Sequence, residues 1–315
     1  MRRSALTVAL LLSLAPARAA AQALTVTLLG TGAPVPSVER FGPATLVRAG
    51  GQNLLFDCGR GATQRLRQAG VPLGEVTALF LTHLHSDHVV GIPDLWLTGW
   101  LRGGFGHRAG SFAVWGPPGT RAMMAGLEQA YQEDVRIRTE DAKLSREGVA
   151  IDARDIGQGV VYRRSGVTVT AFTVDHGKAV RYALGYRVDY RGHAVVISGD
   201  TRYNTNLIHF AKGTDVLIHE VAMGRGPGLL TSPTTRPILG HHTSPEEAGK
   251  VFAQVRPRLA VYTHIVLISP DSSVAPPTVA DLVAHTRTTY AGPLEVGEDL
   301  MTIAVGDSVE VRRPH

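Results

Sequence analysis

The segment Thr-His-Leu-His-Ser-Asp-His at residues 82–88 constrains this chain most, because it places four potential metal ligands within six residues. They are His83, His85, Asp87 and His88. The segment follows a predicted strand, Ala78–Leu81, and ligand sites often lie at such strand ends. In an extended backbone His83 and His85 point to the same side, whereas a following helical turn would direct Asp87 and His88 to a second point nearby. One segment can therefore serve two metal ions.

Four side chains cannot complete two metal sites that each keep a position open for water, so further ligands must come from elsewhere. Three polar residues follow predicted strands: His176 after Val167–Val174, Asp200 after His193–Ser198, and His264 after Leu259–Thr263. The single cysteine, Cys58, excludes an internal disulfide and a multi-cysteine zinc site. Histidine and aspartate must then supply the ligands.

The rest of the chain has mixed α/β patterning. Strands are predicted at Leu24–Leu29, Ala44–Arg48, Asn53–Phe56, Tyr182–Asp189 and Val216–His219, and helices at Ala62–Ala69 and Thr120–Gln132. Ser244-Pro245-Glu246-Glu247 has the residues of a capping box, which predicts a helix from Pro245 to about Gln254. The Gly-rich and charged middle, Leu95–Gln158, is interpreted as a lid-bearing insertion.

The N-terminus has the pattern of a signal peptide. Arg2 and Arg3 precede an apolar stretch, Ala5–Leu14, and Ala21-Gln22-Ala23 is a typical cleavage site. We therefore expect residues 1–23 to be removed near Ala23, residues 24–315 to form a single hydrolase domain, and the mature protein to be periplasmic or secreted. The apolar stretch is shorter than the roughly 20 residues that span a membrane, so no membrane span is expected.

Charge gives little indication of a nucleic-acid partner. The leader carries three arginines and no acid, so its removal lowers the formal net charge from +5 to +2. No run of Lys and Arg forms a basic stripe along the chain. A nucleic-acid partner is accordingly considered unlikely, and a homodimer remains possible.

Several segments, in this order, resemble the metallo-β-lactamase superfamily and, within it, the ribonuclease Z and arylsulfatase-like branch. The matching segments are Leu29-Gly30-Thr31-Gly32, Phe56-Asp57-Cys58-Gly59, His83 to His88, Asp175-His176, Gly185-Tyr186, Ser198-Gly199-Asp200-Thr201, His219-Glu220, His242-Thr243-Ser244 and Thr263-His264. The resemblance implies an α/β fold, the four-layer αβ/βα sandwich, with the metals at one edge between the sheets.

The resemblance also implies a role for each site residue. One zinc ion would be held by His83, His85 and His176, the other by Asp87, His88 and His264, with Asp200 bridging them. The same ligand types would accept manganese or iron. Asp87, His242 and Glu220 would be catalytic, with His241 as the alternative to His242. Asp57 would accept a hydrogen bond from a ligand histidine.

The main functional expectation is a dinuclear zinc hydrolase in which a metal-bridging hydroxide cleaves a phosphate or sulfate ester of a small molecule, as phosphodiesterases and arylsulfatases do. Gly42-Pro43 favours the arylsulfatase-type group. A ribonuclease Z-like 3′ tRNA-processing endoribonuclease is an alternative, weakened by export, by the lack of a long RNA-binding arm and by Phe41 in place of asparagine. A β-lactam hydrolase, suggested by Leu95–Gly119, and a non-catalytic zinc-binding protein are two further hypotheses.

Overall fold

The computed structural model describes residues 24–314, so the predicted signal peptide lies outside the described residues. The strands are β1 (Leu24–Gly30), β2 (Ala44–Ala49), β3 (Gln52–Phe56), β4 (Ala78–Phe80), β5 (Phe112–Gly116), β6 (Ile151–Asp155), β7 (Gly159–Arg164), β8 (Val167–Val174), β9 (Ala183–Tyr190), β10 (His193–Ile197), β11 (Val216–Gly224), β12 (Leu259–Ile268), β13 (Leu294–Val296), β14 (Thr302–Val305) and β15 (Val309–Arg312). The helices are α1 (Ala62–Gln68), α2 (Ser86–Val89), α3 (Ile92–Trp100), α4 (Thr120–Ala130), α5 (Gln132–Glu140), α6 (Arg146–Val149), α7 (Thr205–Ala211), α8 (Thr235–His241), α9 (Pro245–Val255) and α10 (Val279–Arg287). Across these residues, no helix combines the length and the apolar character needed to cross a membrane.

The strands form two mixed sheets that pack face to face. The first sheet has the order β15-β14-β1-β2-β3-β4-β5-β6, and the second has the order β13-β12-β11-β10-β9-β8-β7. Helices α1, α3, α4 and α6 pack on the outer face of the first sheet, and α7, α9 and α10 pack on that of the second. The predicted four-layer αβ/βα sandwich is confirmed.

Apolar side chains from both sheets fill the space between them. Successive residues of a strand point to opposite faces, so Leu28 packs between the sheets while Leu29 packs against the helices. Strands buried on both faces read as nearly continuous apolar runs. At the centre, the rings of Phe56 and Phe80 stack with centroids 5.1 Å apart, and Tyr186 of the second sheet donates a 2.6 Å hydrogen bond to the carbonyl oxygen of Leu81. This bond ties the second sheet to the residue that precedes the segment at 82–88.

The middle of the chain is not a lid-bearing insertion, as predicted, but part of the first sheet and its helical layer. Strands β5 and β6 extend the sheet in parallel beyond β4. Trp96 and Trp100 are buried and donate hydrogen bonds to the carbonyl oxygens of Val149 and Ser145, so their interpretation as core is confirmed. The glycines and charges that suggested a lid lie largely in exposed loops and on α5, whose residues are exposed or half-buried.

Strand β12 does not end before His264, as predicted, but continues to Ile268. Thr263 pairs with Glu220 and Ile265 pairs with Val221, so His264 is an extra residue that the ladder bypasses. Its φ of 43° is in the left-handed region, and such a bulge turns a side chain away from the regular alternation of the strand. Sequence patterning cannot distinguish this bulge from a strand end.

Candidate metal centre

The segment at 82–88 leaves the sheet after β4 and turns into the short helix α2, which begins at Ser86. His83 and His85 therefore lie in the extended part, and Asp87 and His88 lie in the helical turn. Three other strand connections reach the same place: His176 follows β8, Asp200 follows β10, and the bulge at His264 lies within β12. All seven residues predicted as metal ligands are brought together.

Three histidines form the first group of candidate ligands. Nε2 of His83 lies 3.0 Å from Nδ1 of His85, and Nε2 of His176 lies 3.2 Å from that same Nδ1. Burial lowers the pKa of all three imidazoles, which favours the neutral form that binds a metal ion. The three nitrogens thus converge as an uncharged donor set.

Asp87, His88 and His264 form the second group. Nε2 of His264 and Nε2 of His88 lie 3.3 and 3.5 Å from Oδ2 of Asp87. Nε2 of His88 is buried and has no hydrogen-bond partner anywhere in residues 24–314. Leaving a buried imidazole nitrogen without a partner is costly, so this atom fits a position next to a cation.

Asp200 lies between the two groups. Its Oδ2 is 3.4 Å from Nε2 of His88 and 3.3 Å from Nε2 of His264, and it is 3.6 Å from Nε2 of His176. Burial raises the pKa of Asp200, but the neighbouring His264 and His88 outweigh this and hold it well below the usual range. One carboxylate therefore faces both groups, as the predicted bridging role requires.

Asp57 orients His88. The carboxylate of Asp57 accepts a 2.8 Å hydrogen bond from Nδ1 of His88, as predicted, and leaves Nε2 directed toward Asp87 and Asp200. The backbone N–H and the hydroxyl of Thr82 also donate to this carboxylate, each at 2.8 Å. Thr82 was not singled out from the sequence, although its place at the head of the 82–88 segment was a usable signal.

His242 and Glu220 form a pair at the edge of the cluster. Nδ1 of His242 lies 3.0 Å from Oε2 of Glu220, while Oε1 of Glu220 accepts a 2.8 Å hydrogen bond from the backbone N–H of Thr243. Burial lowers the pKa of His242, but Glu220 outweighs this effect and raises the pKa to about 9. A ring nitrogen of His242 also lies within 4.8 Å of ligand atoms of His176 and Asp200.

His241, the alternative to His242, occupies a different position. Its carbonyl oxygen accepts a 3.0 Å hydrogen bond from Nδ1 of His176, and its ring packs on Gly177, where a Cβ atom would lie only 2.6 Å from the ring. His242, and not His241, contacts Glu220. His241 thus supports His176 through its backbone.

Comparison with known proteins places these residues in a family context. A family model described as a β-lactamase superfamily domain matches residues 52–265. The chain is 36% identical over 284 residues to ribonuclease Z of Mycolicibacterium paratuberculosis, a match that covers 89% of this chain and 98% of that relative. Ribonuclease Z of Mycolicibacterium gilvum is 33% identical over 284 residues, with 90% and 97% covered. The crystal structure of the short form of human tRNase Z has a similar fold, with a TM-score of 0.66, 22% identity and coverage of 90% and 99%.

These relatives overturn two expectations: that the substrate is a small phosphate or sulfate ester, and that a nucleic-acid partner is unlikely. The relatives that match most of the chain are named for cleaving RNA. Gly42, which had favoured the arylsulfatase-type group, has a packing role, since a Cβ there would lie 2.6 Å from the backbone nitrogen of Arg60. The charge argument considered cations along the chain, whereas Lys178, Arg202 and Arg236 come from separate segments and line one cavity.

Proposed function

The chain belongs to the metallo-β-lactamase superfamily and to its ribonuclease Z branch, and from this we propose that it is a ribonuclease Z-like endoribonuclease that removes 3′ extensions from tRNA. As a member of this branch it is a metal-dependent hydrolase that acts on ester bonds, so the non-catalytic hypothesis is set aside. The observation that carries the proposal is the 36% identity that extends over 98% of a ribonuclease Z.

The proposal includes two zinc ions held by side chains of this chain. One set of donors would be His83, His85 and His176, the other would be Asp87, His88 and His264, and Asp200 would contact both. When bound, such ions polarise the phosphate and lower the pKa of water. The unpartnered Nε2 of His88 and the neutral first group support this assignment.

His242 is proposed to act on the leaving group. Because Glu220 accepts the hydrogen bond from Nδ1, the second ring nitrogen of His242 is left for the substrate. From there His242 can donate a hydrogen bond to a phosphate oxygen and a proton to the departing ribose oxygen, as a general acid does. Glu220 holds the ring orientation and is itself fixed by the N–H of Thr243.

A cleavage assay with two RNAs tests the proposal. Zinc-loaded protein is incubated with a tRNA that carries a 3′ extension and with an unstructured RNA of the same length. The proposal predicts one cut near the end of the acceptor stem of the tRNA and a lower kcat/KM on the unstructured RNA. Equal cleavage of both would restrict the function to general phosphodiester hydrolysis, and cleavage of neither would contradict the proposal.

Export is proposed separately from the reaction. Residues 1–23 have the pattern of a cleaved leader, and their removal would place the enzyme in the periplasm or outside the cell. N-terminal sequencing of the protein recovered from each cell fraction tests this proposal. A mature N-terminus at Leu24 in the periplasm supports export, and an intact Met1 in the cytoplasm contradicts it.

A further inference from the structure

A cavity of about 450 Å³ lies directly beside the candidate metal centre. Its walls come from the same three segments that position the reacting groups. Gly177 and Lys178 follow His176, Arg202 follows Asp200 by two residues, and His241 precedes His242. The hydrogen bond from His176 to the carbonyl oxygen of His241 joins two of these walls. A group bound in the cavity would therefore be next to the group held at the metal centre.

The cavity carries an excess of positive charge. Lys178, Arg202 and Arg236 line it, and no acidic side chain does. Arg202 is held by an ion pair with Asp175 just outside. Lys178 and Arg236, by contrast, have no ion-pair partner within residues 24–314, and both are exposed. Cations grouped without compensating acids create a local positive potential that attracts anions.

We propose that this cavity binds a backbone phosphate of the RNA adjacent to the phosphate that is cleaved. The inference rests on the proposed function and specifies how the substrate is recognised. RNA carries one phosphate per nucleotide, so a chain placed at the metal centre presents its next phosphate to a neighbouring site. A small ester with one phosphate has no group to place there. The cavity would thus favour polynucleotides over small esters without a long binding arm.

The first experiment compares a double variant, Lys178→Gln with Arg236→Gln, with a control of equal charge change, Arg121→Gln with Lys250→Gln, at exposed positions that do not line the cavity. The zinc-loaded proteins are assayed on 3′-extended tRNA and on bis(4-nitrophenyl) phosphate, which has one phosphate. The cavity variant should lose about tenfold or more in the ratio of kcat/KM for RNA to that for the small ester, mainly through KM. The control should keep the wild-type ratio.

A second measurement does not depend on turnover. Binding of a labelled single-stranded RNA is followed by fluorescence anisotropy at increasing KCl. Each lost phosphate contact lowers the slope of log K against log salt by about one, so the cavity variant should show a slope smaller by about two. If RNA binds in this way but is not cut, the cavity stands and the proposed function fails. If RNA is cut by the variant with wild-type KM and slope, the cavity assignment fails alone.

The position of the bound phosphate is found by neutralising single phosphates. In a set of RNA substrates, one methylphosphonate replaces one phosphate at a time on either side of the cleavage site. One replacement should raise KM for wild-type protein and have no further effect in Arg236→Gln, because the two changes remove the same interaction. Additive effects at every position would overturn the proposal.

Discussion

The carboxylate of Asp57 accepts a 2.8 Å hydrogen bond from Nδ1 of His88, and the backbone of Asp57 adopts a left-handed conformation, with φ of 59°, at the point where the bond forms. Asparagine tolerates this conformation better than most residues, so Asp57→Asn tests the carboxylate with little backbone strain. Partners of this kind typically change metal affinity by about 10- to 100-fold. We expect Asp57→Asn to weaken zinc binding by that factor in a chelator competition. Asp152→Asn, on the exposed part of β6, is the control and should bind zinc as wild type does.

Asp200→Ala should lose both metal and activity. The carboxylate faces ligand nitrogens of both groups, so its removal leaves the two sets of donors without their shared anion. Metal content measured by atomic emission should fall, together with kcat on RNA. An Asp200→Ala protein with the zinc content of the wild type would disprove the bridging role.

His242→Ala should separate catalysis from metal binding. Its Nδ1 bonds to Glu220, so the ring is held by a carboxylate outside the metal-ligand set. Loss of a general acid typically lowers kcat by about 100- to 10,000-fold, and we expect that loss with unchanged zinc content. Because a nitrogen of His242 lies within 4.8 Å of ligand atoms of His176 and Asp200, a drop in zinc content would instead identify it as a ligand.

The elements predicted most accurately were those whose stability is local. Strand β8 was predicted with its observed bounds because Val167 to Val174 alternates apolar and polar residues. Helix α9 was predicted to within one residue because Ser244 and Glu247 form a capping box in the structure. Such patterns depend on neighbours in the chain and are therefore visible in one sequence.

What the sequence could not predict depends on residues that meet only in the folded chain. The bulge at His264 is defined by its pairing across to Glu220 and Val221, and the basic cavity is assembled from Lys178, Arg202 and Arg236. The seven ligands were found in advance by their family resemblance and their order along the chain. The distances that bring Asp200 to both groups required the two sheets to be placed against each other.

Asp299 anchors the loop between β1 and β2. Its Oδ1 accepts hydrogen bonds from the backbone N–H and the hydroxyl of Thr31, at 2.9 and 2.8 Å, and its Oδ2 accepts one from the N–H of Phe41 at 2.7 Å. Arg65 completes the site with a 3.0 Å ion pair. Removing one partner of a buried pair typically costs about 3 kcal/mol or more. We expect Asp299→Ala to lower the free energy of unfolding in urea by about that amount.

The control for this prediction is Asp134→Ala, which breaks a more exposed ion pair with Arg138 on α5. Exposed pairs typically contribute at most about 1 kcal/mol, so its effect should be much smaller. Equal losses in the two variants would mean that the Asp299 network does not stabilise the fold. The metal content of Asp299→Ala should stay at the wild-type level, because Asp299 contacts none of the candidate ligands that the structure describes.

Removal of the metal should destabilise the whole protein. Six of the seven candidate ligands, all except His85, are buried. Without a cation, the nitrogens of His83 and His85 face each other at 3.0 Å and Nε2 of His88 has no partner within residues 24–314. An ion that binds only the folded state at 1,000 times its Kd stabilises that state by about 4 kcal/mol. EDTA should therefore lower Tm, and added zinc should restore it. In Asp200→Ala the shift on adding EDTA should be much smaller, and a Tm of the wild type that does not respond to EDTA would contradict a metal-supported site.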